Sequence, residues 1–295
     1  MKNQQLQHIM LLNFSMLCLC TSGSLGRYIS LPPPLTIWYR AFLAFLFVGI
    51  FCYWKGYSFQ FDVKKYGKVV FLSGLFMTIN FVCYFYALQW SNVAIGMLAL
   101  FTFPIMTTFL EPLFLKTPFQ KIHILLGAMV LLGIYFLAPS FDFQNNMTQG
   151  LLIGLVSALA WAIRNLLLKS NIAAFNSSIL MFYQLGTAML LLLPMLWIYQ
   201  EAAVIPQLPY LLFLGLVTTA IGHTLFINSF NHFSVSTASI MASTQPIYGI
   251  IVAMIFLGEI PSGRSLIGGA LILLTVVIES MRYMKKDIEL VTGDS

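Results

Sequence analysis

Asn92-Val93-Ala94-Ile95-Gly96, leading to Phe103-Pro104-Ile105, returns later in the chain as Ser234-Val235-Ser236-Thr237-Ala238, leading to Gln245-Pro246-Ile247. Each stretch opens on a small polar residue and meets a proline midway through an apolar run. Outward from this pair the matches keep their order. Phe71-Leu72 corresponds to Phe213-Leu214 at the same offset, and Leu125-Leu126-Gly127-Ala128 corresponds to Leu266-Ile267-Gly268-Gly269. With a small shift, Trp38-Tyr39-Arg40-Ala41 corresponds to Phe182-Tyr183-Gln184-Leu185. A single match in so apolar a sequence carries little; their unchanged order predicts two related halves joined near residues 139–148.

The surroundings are lipid-like. Of 295 residues, 59% are hydrophobic and only 8% charged, against about 25% charged in an ordinary soluble domain, so too little polar surface exists to coat a water-soluble globule. Apolar segments fall near 8–26, 35–54, 66–88, 93–115, 121–138, 149–169, 177–199, 208–230, 236–258 and 264–284. Each approaches the roughly 20 residues that a spanning helix needs. The separators are rich in breakers, among them Leu31-Pro32-Pro33-Pro34, Pro118, Pro139-Ser140, Pro206, Pro209 and Pro261-Ser262-Gly263. The expected architecture is an all-α membrane protein of ten transmembrane helices. Residues 1–138 form the first five-helix repeat, 139–148 the loop between repeats, 149–284 the second repeat and 285–295 a charged, disordered cytoplasmic tail.

The net charge of +6 reflects basic residues scattered at the ends of apolar runs, which marks topology and not a nucleic-acid partner. With a cytoplasmic N-terminus, Lys55, Lys64, Lys65, Lys68, Lys116, Lys121 and Lys169 fall in inside loops, and Lys2, Arg282, Lys285 and Lys286 at inside termini; the outside loops hold Arg27 and Arg264. This positive-inside asymmetry predicts both termini in the cytoplasm. Five helices per half is an odd number, so the second half enters from the opposite side, giving an inverted repeat. Lys2 followed by the Ile9–Cys20 run is similar to a signal peptide, yet no small-x-small cleavage site follows and a retained first helix is expected. Cys18, Cys20, Cys52 and Cys83 all lie in apolar stretches; Cys18 and Cys20 fall on different helix faces, and neither a disulfide nor a metal site is expected.

At these residues the sequence resembles the EamA family of the drug/metabolite transporter superfamily, over nearly the full chain. The most specific stretch is Val235 to Ala270: small residues, Pro246, Leu257-Gly258-Glu259, a polar turn and Leu266-Ile267-Gly268-Gly269-Ala270. Pro104 and Gly127 repeat that frame in the first half, and Arg40 stands where such families often place an arginine. The resemblance implies ten helices in two inverted halves and a multi-pass protein of the bacterial inner membrane. It further implies a secondary transporter that exports or exchanges amino acids, related metabolites or drugs. Its partners are then a small-molecule substrate and the lipid bilayer, with no cofactor or nucleic acid; the oligomeric state stays open, a homodimer included. One departure is Leu115-Lys116 where the second half has Gly258-Glu259, which removes a symmetric pair of acids unless Glu111 substitutes.

Ionisable residues inside apolar runs are costly and therefore informative. Arg40 offers a guanidinium to a substrate carboxylate, or a structural pair. Glu111 reads as an interfacial partner of Lys116 before a proton carrier, and Arg164 as a helix approaching its basic cytoplasmic end with Lys169. An unperturbed histidine, with a pKa of about 6.5, would suit proton coupling at His223, although a lone buried histidine is more often structural. Pro104 and Pro246 each remove a backbone hydrogen bond in mid-span and are hinge candidates, placing Phe101, Thr102, Thr244 and Gln245 near bent backbone. Asn80, Tyr84, Trp161, Tyr183 and Gln184, with Asn13 and Asn228, are polar or amphipathic groups poorly suited to lipid and complete the cavity candidates. HExxH, GxSxG and Walker-type GK[ST] motifs are absent from the sequence, so an intramembrane enzyme lacks its expected chemistry. A structural or receptor-like membrane protein remains the other reading; a channel is disfavoured without an acid ring or carbonyl filter.

Overall fold

Prolines and short polar side chains decide where helices begin. Pro33 and Pro34 occupy the first turn of α2 (Pro33–Trp54), where the missing N–H has no intrahelical partner to lose; α1 (Lys2–Tyr28) stops before them. Asp62 accepts from Lys65 N (3.1 Å) to cap α3 (Val63–Trp90), and Asn92 accepts from Ile95 N (2.9 Å) to cap α4 (Val93–Leu100). Asn176 caps α8 (Ser177–Leu192) through Ser178 N. Each satisfies a donor that the first turn leaves free.

The computed structural model describes residues 2–115, 121–137, 142–169, 176–229, 242 and 244–292. The remaining elements are α5 (Phe103–Leu115), α6 (Ile122–Leu137), α7 (Asn146–Lys169), the short α9 (Met195–Ile198), α10 (Leu208–Phe213), a π-helical stretch Leu214–His223, α11 (Thr224–Ser229), α12 (Gln245–Leu257) and α13 (Gly263–Thr292). Among the described residues every regular element is helical. Six stretches of the described residues are long and apolar enough to cross a membrane: Gln7–Tyr28, Pro33–Trp54, Val63–Trp90, Val93–Phe114, Asn146–Leu168 and Ile205–Phe226; four shorter apolar helices accompany them. The chain is thus a multi-pass membrane protein.

Two expectations change. The fourth apolar run breaks outright: α4 ends at Leu100, Phe101 and Thr102 form a turn, and Pro104 sits in the first turn of α5. A proline in mid-helix would collide with the preceding turn, whereas one at a new helix start costs little. Pro246 likewise stands in the first turn of α12. The charged segment after Met284 was expected to be disordered, but α13 continues to Thr292, because no Gly or Pro interrupts the sequence from Ala270 onward to that point. The Ser234–Ala238 match, Lys116 and the Pro139-Ser140 part of the joining loop lie outside the described residues.

Packing is largely between the halves. α3 lies along α7 and α8, α2 along α8 and the π stretch, α1 along the π stretch and α12, α5 along α7, α4 along α12, and α6 along α13. Several crossings are close because a glycine faces the partner, two of them between the second or third helix and the opposite half. A Cβ on Gly74 would stand 2.6 Å from Thr187 Cβ, and one on Gly215 would stand 2.8 Å from Leu43 Cβ. Small residues of this kind let membrane helices approach without the driving force that water supplies elsewhere.

Candidate functional site

Among the described residues Arg40 is the largest fully buried side chain, 1% exposed, and it projects from α2 into a cavity between the halves. A guanidinium keeps its charge in proteins, so every contact it makes carries weight. Its Nε donates to Thr219 Oγ1 (2.7 Å), Nη1 to Ser22 Oγ (3.3 Å) and Nη2 to His223 Nε2 (3.4 Å). Its plane stacks on Phe81 (4.1 Å to the ring centre), with Phe85 further off at 5.7 Å. Among the described residues no carboxylate lies within 4.0 Å of it; the recorded ion pair is Arg27–Glu259, elsewhere.

The π winding of Leu214–His223 is what delivers two of these partners. Thr219 Oγ1 itself donates back to Leu214 O (2.8 Å), and Ser15 Oγ donates to Gly222 O (2.8 Å). These bonds satisfy carbonyls that a wide turn exposes, and such turns recur at functional sites. Because a guanidinium has no acceptor, His223 must receive through Nε2, as the neutral ring protonated on Nδ1. Its ring meets Phe81 at 5.5 Å and Trp161 at 5.9 Å.

The cavity has a volume of about 60 Å³. Of the residues singled out in the sequence, Arg40, Asn80, Tyr84, Phe101, Trp161, His223 and Gln245 line it together, with Ser22 and Phe81 added. Asn80 is engaged on its own side, donating through Nδ2 to Ser157 Oγ (2.8 Å) and Ser157 O (3.0 Å). The Tyr84 hydroxyl is buried and has no hydrogen-bond partner, a costly arrangement for a polar group facing a cavity.

Three candidates lie elsewhere. The Tyr183 hydroxyl donates to Phe59 O at the loop before α3. Gln184 accepts from Arg164 Nη2 (2.5 Å) and donates to Ser73 Oγ (2.9 Å). Thr244 precedes α12 without capping it. Arg164 departs from its sequence reading, being 3% exposed and stacked on Trp161 at 4.6 Å, with its Nε unpartnered. Depth along α7 is the only sequence signal for it, and Lys169 obscured that signal. Glu111 is buried, and its expected partner Lys116 is outside the described residues. Glu259 holds Arg27 at 2.9 Å and accepts from Val93 N at 2.9 Å.

Comparison with known proteins gives a consistent result. The model of the EamA-like transporter family matches residues 7–138 and again residues 148–281. An uncharacterized transporter of Archaeoglobus fulgidus is 28% identical over 239 residues, covering 81% of this chain and 83% of the relative. The pseudopaline exporter CntI of Pseudomonas aeruginosa is 24% identical over 214 residues, 71% of this chain and 73% of the relative. Uncharacterized transporter YxxF of Bacillus subtilis is 24% identical over 286 residues, 92% and 89% of the two chains. A solved crystal structure superposes with a TM-score of 0.66 at 18% identity, covering 93% of this chain and 97% of the other, a likeness of fold.

Proposed function

The chain belongs to the EamA-like transporter family and is a membrane transporter, and from this premise we propose that it is a secondary carrier of small organic metabolites, such as amino acids, related compounds or drugs. It works by alternating access between two inverted five-helix halves, residues 1–138 and 149–284, each embedded in the inner membrane with its outer chain end in the cytoplasm. Export or exchange is the proposed direction, in keeping with the pseudopaline exporter among its relatives.

The observation that carries this reading is an exchange symmetry in the helix packing. Count the apolar runs in order, so that α4 with α5 is the fourth and α10, the π stretch and α11 together are the eighth. Third on sixth (α3 on α7) then has its counterpart in eighth on first (the π stretch on α1). Fourth on sixth matches ninth on first, third on seventh matches eighth on second, and second–seventh, fourth–ninth and fifth–tenth map onto themselves. The two glycine crossings obey the same rule: Gly74 meets Thr187 as Gly215 meets Leu43. Halves related in this way have two equivalent ways of rocking against each other, which opens a central site first to one side and then to the other. Seven of the ten candidate binding residues surround that central site, from both halves.

A cavity of about 60 Å³ holds a few waters and no metabolite, so the loaded form is wider and rocking is required to reach it. Pro104 and Pro246, at helix starts beside the cavity residues Phe101 and Gln245, are where the backbone gives. Purified protein in proteoliposomes, offered a pool of labelled metabolites, is expected to show saturable uptake and counterflow of a subset. Folded protein that moves nothing from a broad pool contradicts the carrier reading.

A further inference from the structure

The whole sequence contains nine acidic residues. Asp62, Asp142, Glu201 and Glu259 lie in connections between helices, and Glu279, Asp287, Glu289 and Asp294 lie toward the C-terminal end. Only Glu111 interrupts an apolar run away from the chain's end, and no ion pair joins it to Arg40 or Arg164, both of which are described. Two guanidiniums, Arg40 and Arg164, are therefore buried on either side of His223 and Trp161 with hydroxyls, an amide, an imidazole and ring faces for company. Neutral dipoles and ring faces solvate a cation but leave its charge uncompensated.

Resting on the carrier reading, we propose that the transported molecule is an organic carboxylate with an apolar body, and that its carboxylate completes Arg40. The donor count supports this. Of the five N–H groups on Arg40, three are engaged, one on Nε and one on each terminal nitrogen. One N–H on each terminal nitrogen is left, the pair of donors that a planar carboxylate accepts side by side. The Tyr84 hydroxyl, buried, unpartnered and lining the same cavity, supplies a further donor. Beyond this head-group position most of the wall is apolar, with Leu19, Leu100, Phe101, Phe103 and Phe226, and the Asn80 and Gln245 amides are its polar members; such a wall fits a body that is largely hydrocarbon or aromatic. Arg164, behind Trp161, adds positive potential without lining the cavity.

The test is uptake into proteoliposomes of labelled 3-phenylpropionate and 4-methylpentanoate, each against its neutral amide and against 2-phenylethyl phosphate. Wild-type protein is expected to take up the carboxylates at least tenfold faster than the amides and faster than the phosphate ester. Arg40→Gln should abolish that preference, and Tyr84→Phe, a change that keeps the ring, should raise the carboxylate KM severalfold with kcat little changed. Saturable flux of amides equal to that of acids overturns the carboxylate assignment while leaving the carrier intact; preference for the phosphate ester replaces it with a phosphate assignment. Absence of flux for all of these probes while other members of the metabolite pool are carried overturns the carboxylate assignment alone; absence of flux for the probes and for the wider pool overturns the carrier reading and this inference with it. The acid-against-amide comparison uses wild-type protein, so it stands even where Arg40→Gln does not fold.

Discussion

Arg27 and Arg40 are the same residue at two ends of a short connection, and they are solved in opposite ways. Arg27, at the end of α1, has a side chain 37% exposed; its Nε meets Glu259 at 2.9 Å and its Nη1 meets Gln89 O at 2.6 Å. Arg40 is shut away from solvent and meets hydroxyls, an imidazole and two rings. Both carry a full charge. At a solvent-exposed position a carboxylate partner costs little and ties the two halves together. In the interior, a cation costs about 2.5–3.5 kcal/mol on insertion scales, and among the described residues no acid pairs with it. Depth alone does not separate a structural arginine from a binding one; the presence of an internal counter-charge does.

The strongest way to break that contrast is to give Arg40 what Arg27 has. Ser22 Oγ lies 3.3 Å from Arg40 Nη1, so Ser22→Asp places a carboxylate within reach of the guanidinium. Carboxylate uptake is expected to fall at least tenfold, because an incoming anion must displace an internal one, while the protein remains folded and as stable to heat as wild type. Ser22→Asn, equal in size and neutral, should retain most of the uptake. Loss in both variants would show that bulk, and not charge, is what the position excludes.

A smaller effect is expected where the halves are compared through their glycines. Gly74→Ala puts a methyl 2.6 Å from Thr187 Cβ, and Gly215→Ala puts one 2.8 Å from Leu43 Cβ, closer than any ordinary carbon contact. Overpacking of this kind costs about 1–3 kcal/mol. If the halves are related by exchange, the two variants should lose similar stability in thermal unfolding of the detergent-solubilised protein. Collapse of one variant and none of the other would mean that the crossings are unrelated.

Much of this was legible from sequence where the physics is local. Leu31-Pro32-Pro33-Pro34 separates the first helix from the second, and the described apolar runs became helices. Arg40, Asn80, Tyr84, Trp161 and His223 could be singled out because a polar or amphipathic group in an apolar run must face protein, and they do share a cavity. Which protein partner each one faces is a long-range matter that periodicity does not encode. Gln184 was grouped with the cavity and instead holds Arg164, while Tyr183 turned to Phe59 O. The π winding that aims Thr219 and His223 left no signal beyond a run of small and hydroxyl residues, since it depends on Ser15 and Thr21 of α1 reaching across to it. Pro104 marks a kink in mid-span by sequence, whereas the chain turns at Phe101–Thr102 and restarts its helix at Phe103, which spares the proline a clash with a preceding turn.

The least effect is expected at the outer pair, and it sharpens the contrast from the other side. Glu259 binds Arg27 through Oε1 and the Val93 N–H of the α4 N-terminus through Oε2, so its carboxylate joins the α12–α13 connection to the first half. Exposed ion pairs contribute about 0.2–1 kcal/mol because water competes for both charges, and a carboxylate at a helix N-terminus adds an amount of the same order. A double-mutant cycle of Arg27→Gln and Glu259→Gln should therefore give a coupling below about 1 kcal/mol in thermal unfolding, with the carboxylate preference of uptake unchanged. Removing Arg40's charge abolishes a preference; removing Arg27's should only loosen a contact. If the outer variants instead changed the rate of exchange severalfold with stability intact, the pair would be a latch whose breaking limits opening to the outside, and the difference between the two arginines would be one of gating against binding and not of structure against function.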